Sequence, residues 1–269
     1  MATDRTIDTR VPVLMYHEIA DSLPDKNDRF MTPMYVITAA MFEGHLRTLA
    51  EHGYRSLLLD EVDGVDPGGK YVVITFDDGL AGNFTHAFPL LTKYGFKATF
   101  FVAVNAVGGA RYMTWSQIEN LSRNGMSIQS HTVSHRPLET LSGPEIRNEL
   151  QGSRDAIEKR LGTRVSAISF PHGSYTPEIV QMAQQVGYRY VCTSDVERTS
   201  VRSFLQEPAL LGRLAMTNTV DNARLLSWVT YSSAELLKTQ YVKRLKTLVR
   251  KTIGVKNYGR LYRLYFKIK

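Results

Sequence analysis

Between positions 11 and 216 the chain alternates two kinds of apolar pattern, and this alternation constrains its fold more than any other feature. Short runs rich in β-branched and aromatic residues lie at 11–16, 71–76, 98–102, 126–130, 167–170, 190–193 and 212–216, and read as strands. Between most of them, apolar residues recur three or four positions apart. These stretches read as helices: 38 to about 52, 83–94, 114–124, 143–161, 177–186 and one from Asp221. Thr38 suits the N-cap of the first, and Pro144 suits the first turn of the longest, where Ile146, Leu150 and Ile157 share a face. The run YVVITF at 71–76 is apolar throughout, as expected of a strand covered on both faces. Repeated strand–helix–strand units predict parallel strands joined by crossover helices. Seven or so strands fit an α/β barrel better than a doubly wound sheet, and a barrel collects its reactive groups at the C-terminal ends of its strands. The loops at 18–37 and 195–210 are expected to shape a groove at that end.

Composition excludes several classes. Of 269 residues, 43% are hydrophobic and 22% charged, ordinary for a soluble globular chain. No apolar run approaches the roughly 20 residues that span a bilayer. The single cysteine, Cys192, excludes an internal disulfide framework and a cysteine-based zinc site. The opening MATDRTIDTR has no apolar core of a secretory signal, so a cytosolic location is expected.

Charge divides the chain. Residues 236–269 hold 11 of the 33 basic residues, whereas all 26 acidic residues precede them, so the basic pI belongs to the end of the chain and the body is acidic. Within that end Leu237, Tyr241, Leu245, Leu248 and Val249 recur at helical spacing with Lys and Arg between them. The expected organisation is an N-terminal tail at 1–10, a body at 11–231 and a basic helical extension at 232–269. The extension either packs its apolar stripe on the body or lies on an anionic membrane surface at the inner face. Nucleic acid is not an expected partner, because the tail's aromatics match no known module.

Four polar clusters fall just after predicted strands. Asp77 and Asp78 follow YVVITF, His131 and His135 follow MSIQS as HTVSH, His17 follows VPVLMY, and His172 follows AISF in the turn FPHG. Taken singly, Asp-Asp-Gly is commonly a turn and a His pair commonly structural. Together at one rim, two imidazoles and one carboxylate form a facial metal site with open positions. The four-residue spacing of His131 and His135 is expected to place both on one side of a helical turn. Neighbouring aspartates cannot easily ligate one metal, so one of the pair is left to act as a general base on water. His45 and His52, on the exposed side of a helical pattern, and His86 are read as structural.

These motifs resemble a known family. TFDDG, HTVSH and FPHG are similar to the first three motifs of the polysaccharide deacetylases, carbohydrate esterase family 4 or the NodB-homology fold, over about residues 11–230. The segments PLLTKYGFKATFFV and FEGHLRTLAEHGY are similar too. The resemblance implies a distorted (β/α)7 barrel and metal-dependent removal of an N-acetyl group from an amino sugar. It implies Asp77 as the base, and Asp78, His131 and His135 as ligands of one divalent cation, zinc before cobalt, nickel or manganese. Pro171, His172 and Gly173 would line the groove, with the His172 N–H helping to bind the oxyanion.

Two departures stand out. Ser169 replaces the arginine that usually opens the third motif and steers the catalytic aspartate, and no histidine follows His172 to serve as the late general acid. The opening VPVLMYHEI resembles a permuted subgroup that includes deacetylases of β-1,6-linked N-acetylglucosamine polymers. There an early histidine takes the acid's part, which falls to His17. Arg213, just inside the late strand, is the candidate replacement for the missing arginine. The implied substrate is an N-acetylated glycan, either a polysaccharide or a lipid-linked precursor. Two other readings stand beside it: a non-catalytic carbohydrate-binding relative, and a metal hydrolase of non-sugar C–N amides.

Overall fold

The computed structural model describes residues 8–24 and 32–232, together with 234 and 238. The expected membrane or packing role of the basic extension lies outside the described residues, as does most of the N-terminal tail.

Among the described residues eleven strands run in chain order: β1 (Val13–Tyr16), β2 (Glu18–Ala20), β3 (Val36–Thr38), β4 (Arg55–Leu57), β5 (Tyr71–Phe76), β6 (Thr99–Val102), β7 (Ser127–Ser130), β8 (Ala167–Ser169), β9 (Tyr190–Cys192), β10 (Ala209–Leu211) and β11 (Leu214–Ala215). Seven α-helices accompany them among the described residues: α1 (Ala39–Glu51), α2 (Phe88–Tyr94), α3 (Trp115–Arg123), α4 (Gly143–Leu161), α5 (Pro177–Val186), α6 (Val201–Phe204) and α7 (Asn222–Val229). Nine strands form one sheet in the order β10-β9-β8-β7-β6-β5-β1-β11, with β4 beside the first half of β5. Every ladder between these strands is parallel. β10 and β11 are the two edges of that order, yet only Gly212 and Arg213 separate them in the chain. The sheet has therefore curled until its edges meet, giving the distorted (β/α) barrel of the NodB type.

Strand periodicity explains the unbroken apolar runs. Val13, Tyr71, Val73, Phe101, Ala167, Tyr190, Cys192, Ala209 and Leu211 form one buried cluster inside the curl. The alternate residues, Leu14, Tyr16, Val72, Ile74, Phe76, Phe100, Val102, Ile128, Ile168 and Val191, pack outward against the helices. Phe76 stacks between Tyr16 and Phe100 at 5.4 and 4.9 Å, and Phe42 of α1 meets Tyr16 and Phe76 edge-on. Each such pair contributes about 0.5–1.5 kcal/mol beyond its buried area. Helix starts follow their caps. Thr38 Oγ1 accepts from the Met41 N–H at 3.2 Å, Ser142 and Glu145 close a capping box ahead of α4, and Asp221 accepts from Arg224.

Short elements depart from the sequence reading. The expected loop at 18–37 supplies β2 and β3, which form a parallel pair of their own, and the segment at 195–210 supplies α6 and the start of β10. Strands of three residues carry too few apolar positions for a period to register. Arg10 joins the body: it bridges Ser200 and donates to the Thr230 carbonyl at 2.7 Å. Gly82 shows why one position admits no side chain, since a Cβ there would lie 1.9 Å from the Ile19 carbonyl.

His45 corrects the sequence reading outright. It is fully buried, not on an exposed face, because Phe42, His45, Leu46 and Leu49 together make the inward stripe of α1. Its Nε2 lies 2.7 Å from the Val220 carbonyl and its Nδ1 3.2 Å from the Tyr16 hydroxyl, so a neutral ring donates to the first and accepts from the second. Burial lowers its pKa from the ordinary 6.5, against opposing influences from Val220 and Asp221. A depressed pKa gives stability that is full above the ordinary value and lost as pH falls through the folded one. The melting temperature of the native protein should therefore exceed that of His45→Gln at about pH 7.5, with the gap closing toward about pH 5. A gap that holds constant across that range would contradict a neutral buried ring.

Candidate active site

Asp77 continues the inward alternation of β5 through Val73 and Thr75, and is 3% exposed. Opposite it, across the seam of the curled sheet, stands Arg213, fully buried. All five N–H groups of the guanidinium find acceptors. Nε donates to the Thr193 carbonyl at 2.9 Å, one Nη to Thr75 Oγ1 at 3.2 Å and Asp77 Oδ1 at 2.7 Å, and the other Nη to Asp77 Oδ2 at 2.7 Å and Ser169 Oγ at 2.8 Å. Ser169 Oγ in turn donates to Asp77 Oδ2 at 3.0 Å. A small hydroxyl at 169 thus leaves room for a guanidinium entering from the other edge of the sheet. Burial alone would push the Asp77 carboxyl up, but Arg213, with His131 and His17, outweighs it and holds the pKa at about 2.

Asp78 turns away into left-handed backbone, with φ 74°, and Gly79 follows with φ 76°. Its Oδ1 lies 3.2 Å from His131 Nε2 and 3.0 Å from His135 Nε2. Burial pushes this carboxyl up, yet hydrogen bonds from the two imidazoles carry it well below the usual carboxylate range. Among the described residues this is the group of three acidic or imidazole side chains whose donor atoms converge, within 4.8 Å of one another. The set fits a divalent cation. A metal about 2.0–2.2 Å from each nitrogen and oxygen ligand needs donors no more than about 4.4 Å apart, and the two separations from Asp78 Oδ1 satisfy that. His131 Nδ1 donates to the Ser169 carbonyl at 2.8 Å, so Nε2, which donates to Asp78 here, is the nitrogen that would give up its proton to hold a cation.

The two histidines converge by a route other than the expected one. Residues 131–135 are a loop beyond β7 and not a helical turn. Thr132 and His135 both take positive φ, 67° and 59°, and Thr132 Oγ1 accepts from the His135 N–H. With Asp78 and His172 (φ 58°), four non-glycine residues of this rim sit in left-handed backbone, a conformation costing of order 1–3 kcal/mol each and concentrated at functional sites.

His17 follows β1 and stacks on Tyr35, with ring centroids 4.5 Å apart. Asn83 Nδ2 donates to its carbonyl at 2.6 Å. Its Nδ1 is buried without a hydrogen-bond partner among the described residues. Burial lowers its pKa, opposed by the charges of Asp77 and Asp78 and reinforced by Arg213. Pro171, His172 and Gly173 form a single tight turn after β8, and the exposed His172 ring lies 4.8 Å from that of His135. His17, Asp77, Asp78, His131, His135, His172 and Arg213 therefore share one end of the curled sheet.

Sequence reasoning missed Thr75, Tyr35 and Asn83. Thr75 was legible as the one polar residue in YVVITF, two positions before Asp77 and so on its face. Tyr35 and Asn83 reach His17 only through tertiary packing, and no local signal marks them.

Comparison with known proteins bears on the family and the fold. A family model described as polysaccharide deacetylase matches residues 64–191. The chain is 31% identical over 195 residues to YxkH of Bacillus subtilis (strain 168), covering 69% of this chain and 65% of that protein. It is 23% identical over 174 residues to the poly-beta-1,6-N-acetyl-D-glucosamine N-deacetylase of Staphylococcus epidermidis, covering 58% of this chain and 60% of that one. The chain thus spans slightly under two thirds of these curated relatives. Among solved structures, the Streptococcus pyogenes deacetylase PplD in complex with acetate superposes with a TM-score of 0.74 at 28% identity, covering 82% of this chain and 99% of that one. Motifs, curled parallel sheet and relatives converge: residues 64–191 match the polysaccharide deacetylase model, and the fold is that of solved deacetylases.

Proposed function

We propose that this protein is a metal-dependent N-deacetylase that removes acetyl groups from N-acetylated amino sugars of a polysaccharide or a lipid-linked glycan. The observation that carries the reading is the meeting of Asp78 Oδ1 with His131 Nε2 and His135 Nε2 at 3.2 and 3.0 Å, next in sequence to a buried carboxylate gripped by Arg213. Two relatives support the substrate class: one is named for N-deacetylation of poly-β-1,6-N-acetylglucosamine, and the PplD structure holds acetate. A non-catalytic relative would be expected to lack a ligand or the base, and all four residues are in place.

Asp78, His131 and His135 would hold the cation, which supplies Lewis-acid polarisation of the acetyl carbonyl and a more acidic water. The chain's own groups do the rest. Asp77 accepts the proton of the attacking water, its carboxylate kept ionised and aimed by the Arg213 fork and the Ser169 hydroxyl. The turn at Pro171–Gly173 offers the His172 N–H to the oxygen on which negative charge develops. His17 delivers a proton to the departing nitrogen. Burial disfavours its charged form in the resting site, and negative charge building beside it during attack favours protonation at the moment it is needed. Its ring is held ready by the Tyr35 stack.

The test is acetate release from N-acetylglucosamine oligomers. Native protein should release acetate, stop on chelation and recover with zinc, while His17→Ala should be slower by about 10²–10⁴-fold. Release that survives exhaustive chelation would overturn the metal dependence. Near-native turnover by His17→Ala would overturn the acid assignment alone.

A further inference from the structure

The ligand loop 131–135 is held from outside the metal site by one helix. Glu149 on α4 is 8% exposed, and its carboxylate receives three hydrogen bonds from that loop. Oε2 accepts from the Val133 N–H at 2.9 Å and the Ser134 N–H at 2.8 Å, and Oε1 accepts from the Ser134 hydroxyl. One turn further along α4, Ser153 Oγ meets Ser130 Oγ at 2.7 Å, and Ser130 Oγ accepts from the Thr132 N–H at 3.2 Å. Glu149 and Ser153 thus occupy the buried side of a helix whose other inward residues are Ile146, Leu150 and Ile157. A carboxylate is costly to bury unless its oxygens are bonded, and these oxygens take donors from the backbone lying between the two histidines.

We propose that Glu149 is a positioning residue for the metal site: its carboxylate clamps Val133 and Ser134 so that the loop keeps its left-handed turns at Thr132 and His135. Those turns bring both imidazoles onto Asp78. An unclamped loop can relax to less costly backbone, and the His135 nitrogen then leaves the reach of a shared cation. The proposal rests on the metal reading above and adds to it a residue that touches neither cation nor substrate.

The experiment titrates metal-free protein with cobalt(II), following its visible absorption and competing it against a chelator. Glu149→Leu, which removes both acceptors, is expected to weaken cobalt binding by about 10–100-fold, the range for groups that orient a metal's ligands. Glu149→Gln, whose amide oxygen can still accept from both N–H groups, should recover most of that loss. Ile157→Ala, a buried cavity on the same helix, lowers the melting temperature and should leave cobalt affinity at the native value. Native cobalt affinity in Glu149→Leu, or an equal loss in Ile157→Ala, overturns the clamp while leaving the metal site intact. Native protein that takes up no cobalt overturns the metal site and the clamp with it. Should Glu149→Leu not fold, amide exchange in metal-free native protein decides: slow exchange at Val133 and Ser134 supports the clamp, and exchange at the unprotected rate overturns it.

Discussion

Replacing Arg213 with methionine is expected to lower the melting temperature by about 6–20 °C and the deacetylation rate by about 10²-fold. The first figure follows from leaving the Asp77 carboxylate, 3% exposed, without its cation. Breaking a buried ion pair from one side costs about 3–5 kcal/mol, and 1 kcal/mol moves the melting point of a body this size by about 2–4 °C. The second figure follows from geometry: Asp77 loses the fork that aims both its oxygens, and misplacement of a reacting group by about 1 Å costs about 10²-fold. Thermal denaturation and acetate release check the two parts separately. The double variant Asp77→Asn/Arg213→Met, which removes both charges, should recover most of the stability and none of the activity. A single variant that melts within a degree or two of the native protein would mean that Asp77 is protonated in the fold.

His131→Ala is expected to abolish zinc retention and to reduce deacetylation by about 10³-fold or more. Lewis-acid assistance is worth several kcal/mol of barrier, and about 4 kcal/mol corresponds to about 10³-fold. The ring also anchors the site to β8 through the Ser169 carbonyl, so its loss frees one ligand and loosens another strand end. Metal analysis of the purified protein and acetate release together check this. One equivalent of zinc retained by the variant would remove His131 from the ligand set.

Long, capped, strongly periodic elements were legible in the amino-acid sequence. Tyr71–Phe76, Gly143–Leu161 and Pro177–Val186 have the bounds that their patterns predict, because continuous apolar runs and caps act locally. The three-residue strands β2, β3, β4 and β10 were not, since tertiary pairing defines them. His45 was misplaced for a related reason: it occupies an inward position of α1, but a polar residue there breaks the apolar stripe that would have flagged it.

At the site, spacing revealed which groups gather and the fold supplied how. Two aspartates and two histidines at strand ends announced a cluster. The helical turn expected between His131 and His135 is replaced by left-handed backbone at Thr132 and His135, which no hydropathy pattern encodes. Arg213 could be named only as a candidate replacement for the arginine missing at Ser169. Its five-acceptor socket depends on β10 and β11 meeting across Gly212 and Arg213, a property of the closed sheet. Glu149 left a trace, an acidic residue on the buried side of α4 one turn from Ser153, that becomes meaningful only beside the loop it holds.

The central claim is that Asp78, His131 and His135 grip one cation while Asp77 stays apart to handle protons. Anomalous diffraction at the zinc edge from zinc-soaked crystals tests it most directly. The expected result is one strong peak about 2.0–2.2 Å from Asp78 Oδ1, His131 Nε2 and His135 Nε2, with Asp77 still on Arg213. A map with no peak among those three atoms, or with Asp77 among the ligands in place of Asp78, would contradict it.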